Sequence, residues 1–317
     1  MSNELKRPII LFGNTRSGTT IVQKVVSMHP DVVNWYEPRT LWLYADPGRP
    51  HDEFDESDAT EKVKQYIREQ FLRYQEEHGN RVVMEKTPAN IFKISYVRAI
   101  FPEATFVFIV RNPFSFISSV ELKWQSTLTT KGIRRRLKST PITQLHHYAR
   151  RLIRDQFNKK VLRRKYLKTW GPRYKGMEED LQTHDLLTVI ARQWSKGSKK
   201  AEKDLAHVND GEVLRLKYEE FVTDPVFDLE RICAHCGLEM TKGMVRAANE
   251  WVKSDRQDKW RRFDPRDLAR VLPEIRDEMQ LHGYEVPEEI AQAIPQIGDR
   301  TGINQSLMAK TRTESVR

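Results

Sequence analysis

The sequence of 317 residues predicts an α/β fold in which a parallel sheet lies between layers of helices. Residues 9–12 and 105–110 are short apolar, β-rich runs, which are typical of buried strands. Each run is followed by a turn and then by a stretch with helical apolar spacing. Strands that alternate with helices in this way form parallel sheets, because each helix returns the chain to the same end of the sheet.

The first turn has the spacing of a phosphate-binding loop. Gly13 and Gly18 are separated by four residues, and Thr19 and Thr20 follow the second glycine. A loop that closes on a helix N-terminus directs backbone N–H groups and the positive end of the helix dipole at one point. A nucleotide hydrolase carries Lys after the second glycine, whereas this chain has Thr19 there and its cation earlier, at Arg16. The loop therefore predicts binding of a phosphate or sulfate group without the usual lysine and magnesium.

The remaining elements follow from the same two patterns, taken in chain order. A strand begins at Val32, after the break at Pro30. Further strands are predicted at 82–84 and 212–218, and helices at 60–78, 114–122, 143–170, 181–208, 226–236 and 273–281.

Polar side chains follow three of the predicted strands. Glu37 and Arg39 lie beyond the second strand, Lys86 ends the third, and Arg111 ends the fourth, with Ser119 eight residues later. The carboxyl ends of parallel strands line the ligand crevice of such sheets. Glu37 is therefore a candidate general base, Lys86 a candidate phosphate or leaving-group contact, and Arg111 with Ser119 a candidate second anion site. By itself, the Glu37–Arg39 pair favours a surface salt bridge.

The net charge of +10 is unevenly distributed along the chain. Residues 131–175 contain 16 Lys and Arg against one acid, Asp155, so this segment carries +15 and the remainder about −5. Such a segment fits an acidic glycan, an anionic small molecule, a membrane surface or a nucleic acid. A solvated helical face is the simpler alternative.

The chain has no run of 18 apolar residues and no signal-peptide pattern, so we expect a cytoplasmic protein without a transmembrane segment and with reduced cysteines. We expect one domain over residues 1–298, with an insertion at about 123–185 that forms the acceptor site or a lid. Residues 299–317 are predicted to be a flexible tail.

Two motifs, FGNTRSGTT and FVFIVRNPFSFISS, resemble sulfotransferases that use 3′-phosphoadenosine-5′-phosphosulfate (PAPS). The similar segments cover residues 8–122 and 190–287. The resemblance implies a three-layer P-loop-NTPase-like fold, in which the first loop holds the 5′-phosphosulfate and a strand-end Arg with a Ser eight positions later holds the 3′-phosphate. It assigns the 5′ end to five loop residues and the 3′-phosphate to Arg111 and Ser119; the loop residues are Arg16, Ser17, Gly18, Thr19 and Thr20.

The motifs are most similar to the branch that contains tyrosylprotein, bacterial and glycan sulfotransferases, because Arg16 stands where cytosolic small-molecule enzymes carry a loop Lys. Pro88 occupies the place of the catalytic His of those enzymes. The resemblance implies that Glu37 is the base and that Lys86 and Arg16 steady the transferring group. Ser254 and Lys259 are implied as cofactor contacts, at a shorter spacing than the family shows.

The implied reaction moves the sulfuryl group of PAPS to a hydroxyl, releases adenosine 3′,5′-bisphosphate and needs no metal. The basic segment and the string WGPRYKGM favour a carbohydrate acceptor, with a small-molecule, lipid or tyrosyl hydroxyl as the alternative. A P-loop kinase, a nucleic-acid-binding protein and a catalytically silent binding module are the competing hypotheses. Thr19 disfavours the kinase, and no recognition motif supports nucleic-acid binding. The oligomeric state stays open.

Overall fold

The computed structural model describes residues 4–124, 170–206, 208, 210–254 and 258–294. Its centre is a five-stranded sheet in which all four neighbouring pairs of strands are parallel. The strand order is β2-β3-β1-β4-β5, and the parallel sheet of an α/β fold that the sequence predicts is confirmed. The strands are β1 (Ile9–Gly13), β2 (Val32–Tyr36), β3 (Val82–Lys86), β4 (Thr105–Val110) and β5 (Val213–Lys217).

Helices connect the strands and cover the two faces of the sheet. Among the described residues they are α1 (Thr19–Val26), α2 (Glu61–Glu77), α3 (Ile94–Ile100), α4 (Pro113–Trp124), α5 (Met177–Thr183), α6 (Leu186–Leu205), α7 (Tyr218–Thr223), α8 (Pro225–Cys236), α9 (Lys242–Trp251), α10 (Pro265–Val271), α11 (Arg276–Leu281) and α12 (Glu288–Gln292).

Successive side chains of each strand point to opposite faces of the sheet. Each face therefore has its own apolar core, and the fold has three layers. One face carries Phe12, Val83 and Phe108, packed against helices that include α2, α3, α4 and α6. The other face carries Leu11 and Met84, packed against α1, α8 and α9. The strands are apolar on both faces because both faces are covered.

The register places the carboxyl ends of the strands together. Lys86 at the end of β3 pairs with Tyr36 and Leu11, Gly13 pairs with Ile109, and Val110 pairs with Lys217. The residues that follow these strands therefore share one edge of the sheet, where ligands bind in open α/β folds.

The prediction of one helix over 181–208 is wrong, because the chain breaks between α5 and α6. His184 is extended, and Asp185 then caps α6 by accepting hydrogen bonds from the backbone N–H groups of Leu187 and Thr188. The predicted helix at 273–281 is also divided, into a 3-10 turn at Leu272–Glu274 and α11.

The end of the predicted insertion, residues 170–177, is described and docks on the segment before α2. The backbone N–H of Asp52 donates to Arg173 O, and the N–H of Arg173 donates to the Asp52 carboxylate, each at 2.7 Å. Gly171 (φ 80°) lies against the first loop: a Cβ there would be 3.5 Å from Thr15 Cγ2.

Several expectations fall on residues outside the described part. These are most of the insertion, including the predicted helix at 143–170, and the tail at 299–317. The division into one domain with an insertion therefore stays a prediction. Within the described ranges, no helix combines the length and apolar character needed to cross a membrane.

We expect Asp185→Ala to lower the free energy of unfolding by about 1–2 kcal/mol, because two N–H groups at the start of α6 lose their acceptor. Denaturant titration measures this change. Asp185→Asn keeps a capping oxygen and should recover at least half of the loss. Equal losses in the two variants would show that the cap contributes nothing.

Candidate active site

Five residues that directly follow the strands gather at the carboxyl edge of the sheet. They are Asn14 after β1, Glu37 after β2, Thr87 after β3, Arg111 after β4 and Tyr218 after β5. Asn14, Thr87 and Arg111 are buried. The strand register therefore brings the candidates predicted from separate motifs to one place.

The loop between β1 and α1 has the geometry of an anion cradle. Gly18 is the N-cap of α1, has φ 87° and offers no side-chain acceptor to the first N–H groups of the helix. A Cβ at Gly18 would lie 2.2 Å from Tyr218 Cδ2, so only glycine fits. Ser17 Oγ is fully buried and has no hydrogen-bond partner among the described residues. Helix N–H groups without a side-chain cap, beside an unsatisfied hydroxyl, suit a phosphate group.

Lys86 links this cradle to Glu37. The side chain of Lys86 is 1% exposed, and its Nζ donates to Thr20 Oγ1 at 3.1 Å and to Glu37 Oε1 at 2.8 Å. Arg39 Nη2 lies 3.1 Å from the other carboxylate oxygen, Oε2. Lys86 Nζ is also 4.1 Å from the centre of the Tyr36 ring. The candidate base, the candidate lysine and the first turn of α1 are thus in direct contact.

Two residues of this region have a strained backbone. Arg16 has φ 66° and Glu37 has φ 51°, a region that bulky residues rarely adopt and that costs of order 1–3 kcal/mol each. Glu37 is held by its own N–H, which donates to Lys86 O at 3.1 Å, and by its carbonyl, which accepts from Arg39 N at 2.8 Å. Such strain clusters at functional sites, where surrounding contacts maintain it.

Arg111, Ser119 and Arg16 form a second cationic group. Arg111 is 6% exposed; its Nη1 donates to Arg16 O at 2.7 Å, and its guanidinium lies 4.6 Å from the Tyr218 ring. Burial lowers the pKa of the Arg111 guanidinium from its ordinary value. Arg16 Nε donates to Ser119 Oγ at 3.0 Å. The structure therefore places the Arg16 side chain beside Ser119, so Arg16 connects the loop to the second candidate anion site.

Ser254 and Lys259 are both exposed, and they flank residues 255–257, which lie outside the described part. Their role as cofactor contacts stays a prediction. Arg262 lies in the same 3-10 turn as Lys259, and the sequence analysis did not predict a role for it. It donates to Ser118 O at 3.1 Å and pairs with Glu121 at 2.7 Å, which brings this basic turn onto α4.

Glu85 was also missed, although it stands beside Lys86 in the motif EKTP. It points to the opposite face of the sheet, is 0% exposed, and accepts a hydrogen bond from Asn90 Nδ2 at 3.0 Å. Burial raises the pKa of Glu85 from 4.5 to about 7, and the positive charge of Lys86 acts in the opposite direction. The signal in the sequence was the pair of opposite charges at the end of a buried strand.

In the described ranges, no group of three or more His, Cys, Asp or Glu side chains is arranged to hold a metal ion. The buried site instead consists of cations, hydroxyls, backbone N–H groups and one flanking carboxylate.

The fold and this constellation of groups define an α/β protein whose first loop has the geometry of an anion cradle and lies beside a lysine–glutamate pair. The chain matches the family described as "Sulfotransferase family" over residues 8–168 and 153–242. Because these residues make up well over half of the sequence, the protein belongs to the Sulfotransferase family.

Two curated proteins are similar to part of the chain. "Nodulation protein NoeE" of Sinorhizobium fredii is 24% identical over 134 residues, which are 37% of this chain and 32% of that protein. "Protein-tyrosine sulfotransferase 1" of Danio rerio is 28% identical over 124 residues, which are 36% of this chain and 35% of that protein. The chain thus spans about a third of the length of the curated relatives it matches.

Solved structures share the fold over most of the chain. The sulfotransferase domain from the curacin biosynthetic pathway has a TM-score of 0.52 at 13% identity, covering 90% of this chain and 100% of that domain. The sulfotransferase domain of the olefin synthase of Synechococcus PCC 7002 has the same TM-score at 14% identity, with 90% and 98% covered. The three-layer P-loop-like fold predicted from the motifs is confirmed.

We expect Glu85→Gln to become progressively more stable than the wild type as the pH rises from 4.5 to 7. Below pH 4.5 the carboxyl is neutral in both the folded and the unfolded states. Between pH 4.5 and 7 the carboxyl ionises only in the unfolded state. The free energy of unfolding of the wild type therefore falls by about 3 kcal/mol over this window and does not fall further above it. Denaturant titrations at pH 4.5 and 8 measure the difference.

Glu61→Gln is the matched control, because the Glu61 side chain is 90% exposed. Its stability difference from the wild type should be nearly the same at the two pH values. A Glu85→Gln difference that is equally flat would contradict the effect of burial on Glu85.

Proposed function

We propose that the protein is a PAPS-dependent sulfotransferase that moves a sulfuryl group to a hydroxyl of an acceptor. One observation carries the proposal: the buried Lys86 Nζ joins Thr20 at the first turn of α1 to the Glu37 carboxylate. This contact supports the proposal, because an ammonium group and a carboxylate lie beside a loop that suits the phosphate adjoining the reacting group. Family membership supports the same class of reaction.

The nucleotide would bind between the two cationic groups. The loop residues Ser17 to Thr20 would hold its 5′ end through the N–H groups of α1 and the Ser17 hydroxyl. Arg111 and Ser119 would hold the 3′-phosphate, since guanidinium groups suit phosphate oxygens. Arg16 contacts this second pair, and its role at the reacting group stays a proposal.

The nucleotide supplies the sulfuryl group, which moves to the acceptor oxygen as its bond to the 5′-phosphate breaks. Glu37 would take the acceptor proton on its carboxylate. This group is hydrogen-bonded to Lys86, whose Nζ contacts Thr20 at the first turn of α1. Lys86 and the N–H groups of α1 would stabilise the charge that develops on the departing oxygen. Preorganised donors of this kind commonly contribute the largest share of a rate enhancement.

The kinase alternative is weaker because its lysine after Gly18 is replaced by Thr19, while the cation of the site, Lys86, approaches from β3. Binding without catalysis is the remaining alternative. The Glu37–Lys86 ion pair fits both alternatives, so transfer of labelled sulfate distinguishes them. The cytoplasmic location expected from the sequence stays a prediction.

We expect Glu37→Gln to lower kcat by at least about 100-fold while the dissociation constant for adenosine 3′,5′-bisphosphate changes by less than about threefold. The substitution removes the base but keeps the size of the side chain and an oxygen that accepts from Lys86. Transfer of labelled sulfate and calorimetry measure the two quantities.

Glu103→Gln is the control, because Glu103 precedes β4 at the amino end of the strands, opposite the candidate site, where it pairs with Arg68 at 2.8 Å. It should retain full turnover. Near-wild-type turnover in Glu37→Gln would remove Glu37 from the mechanism.

The proposed acceptor is an anionic carbohydrate. The support is the 16 Lys and Arg at 131–175, together with the packing of Gly171, near the end of this segment, against Thr15 of the loop. A tyrosyl hydroxyl is the second candidate, favoured by the similarity to the tyrosine sulfotransferase of Danio rerio.

A screen with labelled PAPS against acidic glycans, neutral glycans and tyrosine peptides separates the two candidates. We expect acidic glycans to be sulfated fastest, with a KM that rises steeply with salt because screening weakens the attraction. Preferential sulfation of tyrosine peptides, phenols or lipids would contradict the carbohydrate proposal and leave the sulfotransferase proposal intact.

A further inference from the structure

Helix α6 touches the phosphate-binding loop through a buried asparagine. Asn14 Nδ2 donates to Ser198 Oγ at 2.9 Å and to Trp194 O at 3.2 Å, across 184 and 180 residues of sequence. Asn14 and Ser198 are both buried. The helix approaches this closely because residue 197 is glycine: a Cβ there would lie 2.7 Å from Asn14 Oδ1. The loop is therefore fixed to the side of α6.

The same turn of α6 also contacts Arg111, a residue of the second candidate anion site. Trp194 is fully buried, and its Nε1–H donates to Arg111 O at 3.0 Å. Trp194 thus accepts a hydrogen bond from Asn14 through its carbonyl and donates one to the carbonyl of Arg111 through its indole. The contact is between protein groups only, so it fixes the two segments relative to each other.

This link lies where the sheet no longer fixes the distance between the two segments. The last register pair of β1 and β4 is Gly13 with Ile109. Asn14 and Arg111 stand beyond this pair, so strand hydrogen bonds leave their spacing free to change. A displacement of about 1 Å in a positioned group can cost about 100-fold in an oriented interaction.

We propose that Asn14 and Trp194 are positioning residues that set the distance between the two anion sites and so select a nucleotide with phosphates at both its 5′ and 3′ positions. This inference rests on the proposed function, in which one nucleotide spans the two sites. Neither residue needs to touch the nucleotide, because Asn14 acts on the loop and Trp194 acts on Arg111.

The test compares the binding of three probes to the full chain by calorimetry: adenosine 3′,5′-bisphosphate, adenosine 5′-monophosphate and adenosine 3′-monophosphate. The variants are Asn14→Ala and Trp194→Phe, which remove one donor each and keep the backbone contact of Ser17 N with Asn14 O. We expect each variant to bind the bisphosphate about tenfold more weakly, which is the effect of losing about one hydrogen bond. Each monophosphate uses one site, so its affinity should change by less than about threefold.

Ser195→Ala is the matched control. Ser195 lies on the same turn of α6, but its buried hydroxyl donates to Glu278 at 2.7 Å instead of to the loop. It should lower thermal stability without changing the ratio of bisphosphate to monophosphate affinity. A purely structural role of Asn14 and Trp194 would give this same result.

Two failures are distinguishable. If the wild type prefers the bisphosphate by about 100-fold and both variants keep that ratio, the positioning role is overturned and the proposed function stands. If the wild type binds the bisphosphate no more tightly than the better monophosphate, the two sites do not share one nucleotide, and the proposed function fails together with this inference.

Discussion

The site depends on how the protein accommodates the buried ammonium group of Lys86. A charge at 1% exposure costs several kcal/mol unless it is paired and hydrogen-bonded. Glu37, Thr20 and the Tyr36 ring supply those partners from β2 and α1. Satisfying one lysine therefore draws the ends of β2 and β3 and the start of α1 together. Glu37 has a strained backbone at this contact, and backbone hydrogen bonds with Lys86 and Arg39 hold it there.

The proposed site also requires that the two candidate anion-binding segments stay at a fixed distance from each other. The parallel register brings Gly13 beside Ile109, and α6 continues this fixation beyond the ladder through Asn14 and Trp194. Arg111 adds a direct contact to Arg16 O. The sheet thus gives the coarse position of the site, and buried contacts between side chains and backbone give the fine position. Under the proposed function, binding both ends of one nucleotide requires both the sheet register and these buried contacts.

Much of the fold and of the candidate site could be predicted from local sequence patterns. The strand Thr105–Val110 was predicted with its observed bounds, because six consecutive apolar or β-branched residues lie before Arg111. The strand–loop–helix arrangement around Gly18 followed from the glycine spacing, and its phosphate binding stays a prediction. The strand-end positions of Glu37, Lys86 and Arg111 followed from the fold class. The break at Asp185 was missed although an N-cap residue type directly before an apolar run is a signal for a helix start. Asn14, Trp194 and Glu85 were missed because their partners or their burial depend on segments distant in sequence, which no local pattern reveals.

The central claim is that one nucleotide spans the two cationic groups with Lys86 and Glu37 beside its 5′ end. A crystal structure with adenosine 3′,5′-bisphosphate tests this most directly. The account predicts the 5′-phosphate on the N–H groups that follow Ser17 and the 3′-phosphate within hydrogen-bond distance of Arg111 and Ser119. A nucleotide bound elsewhere, or with only one phosphate held by these groups, would contradict the account.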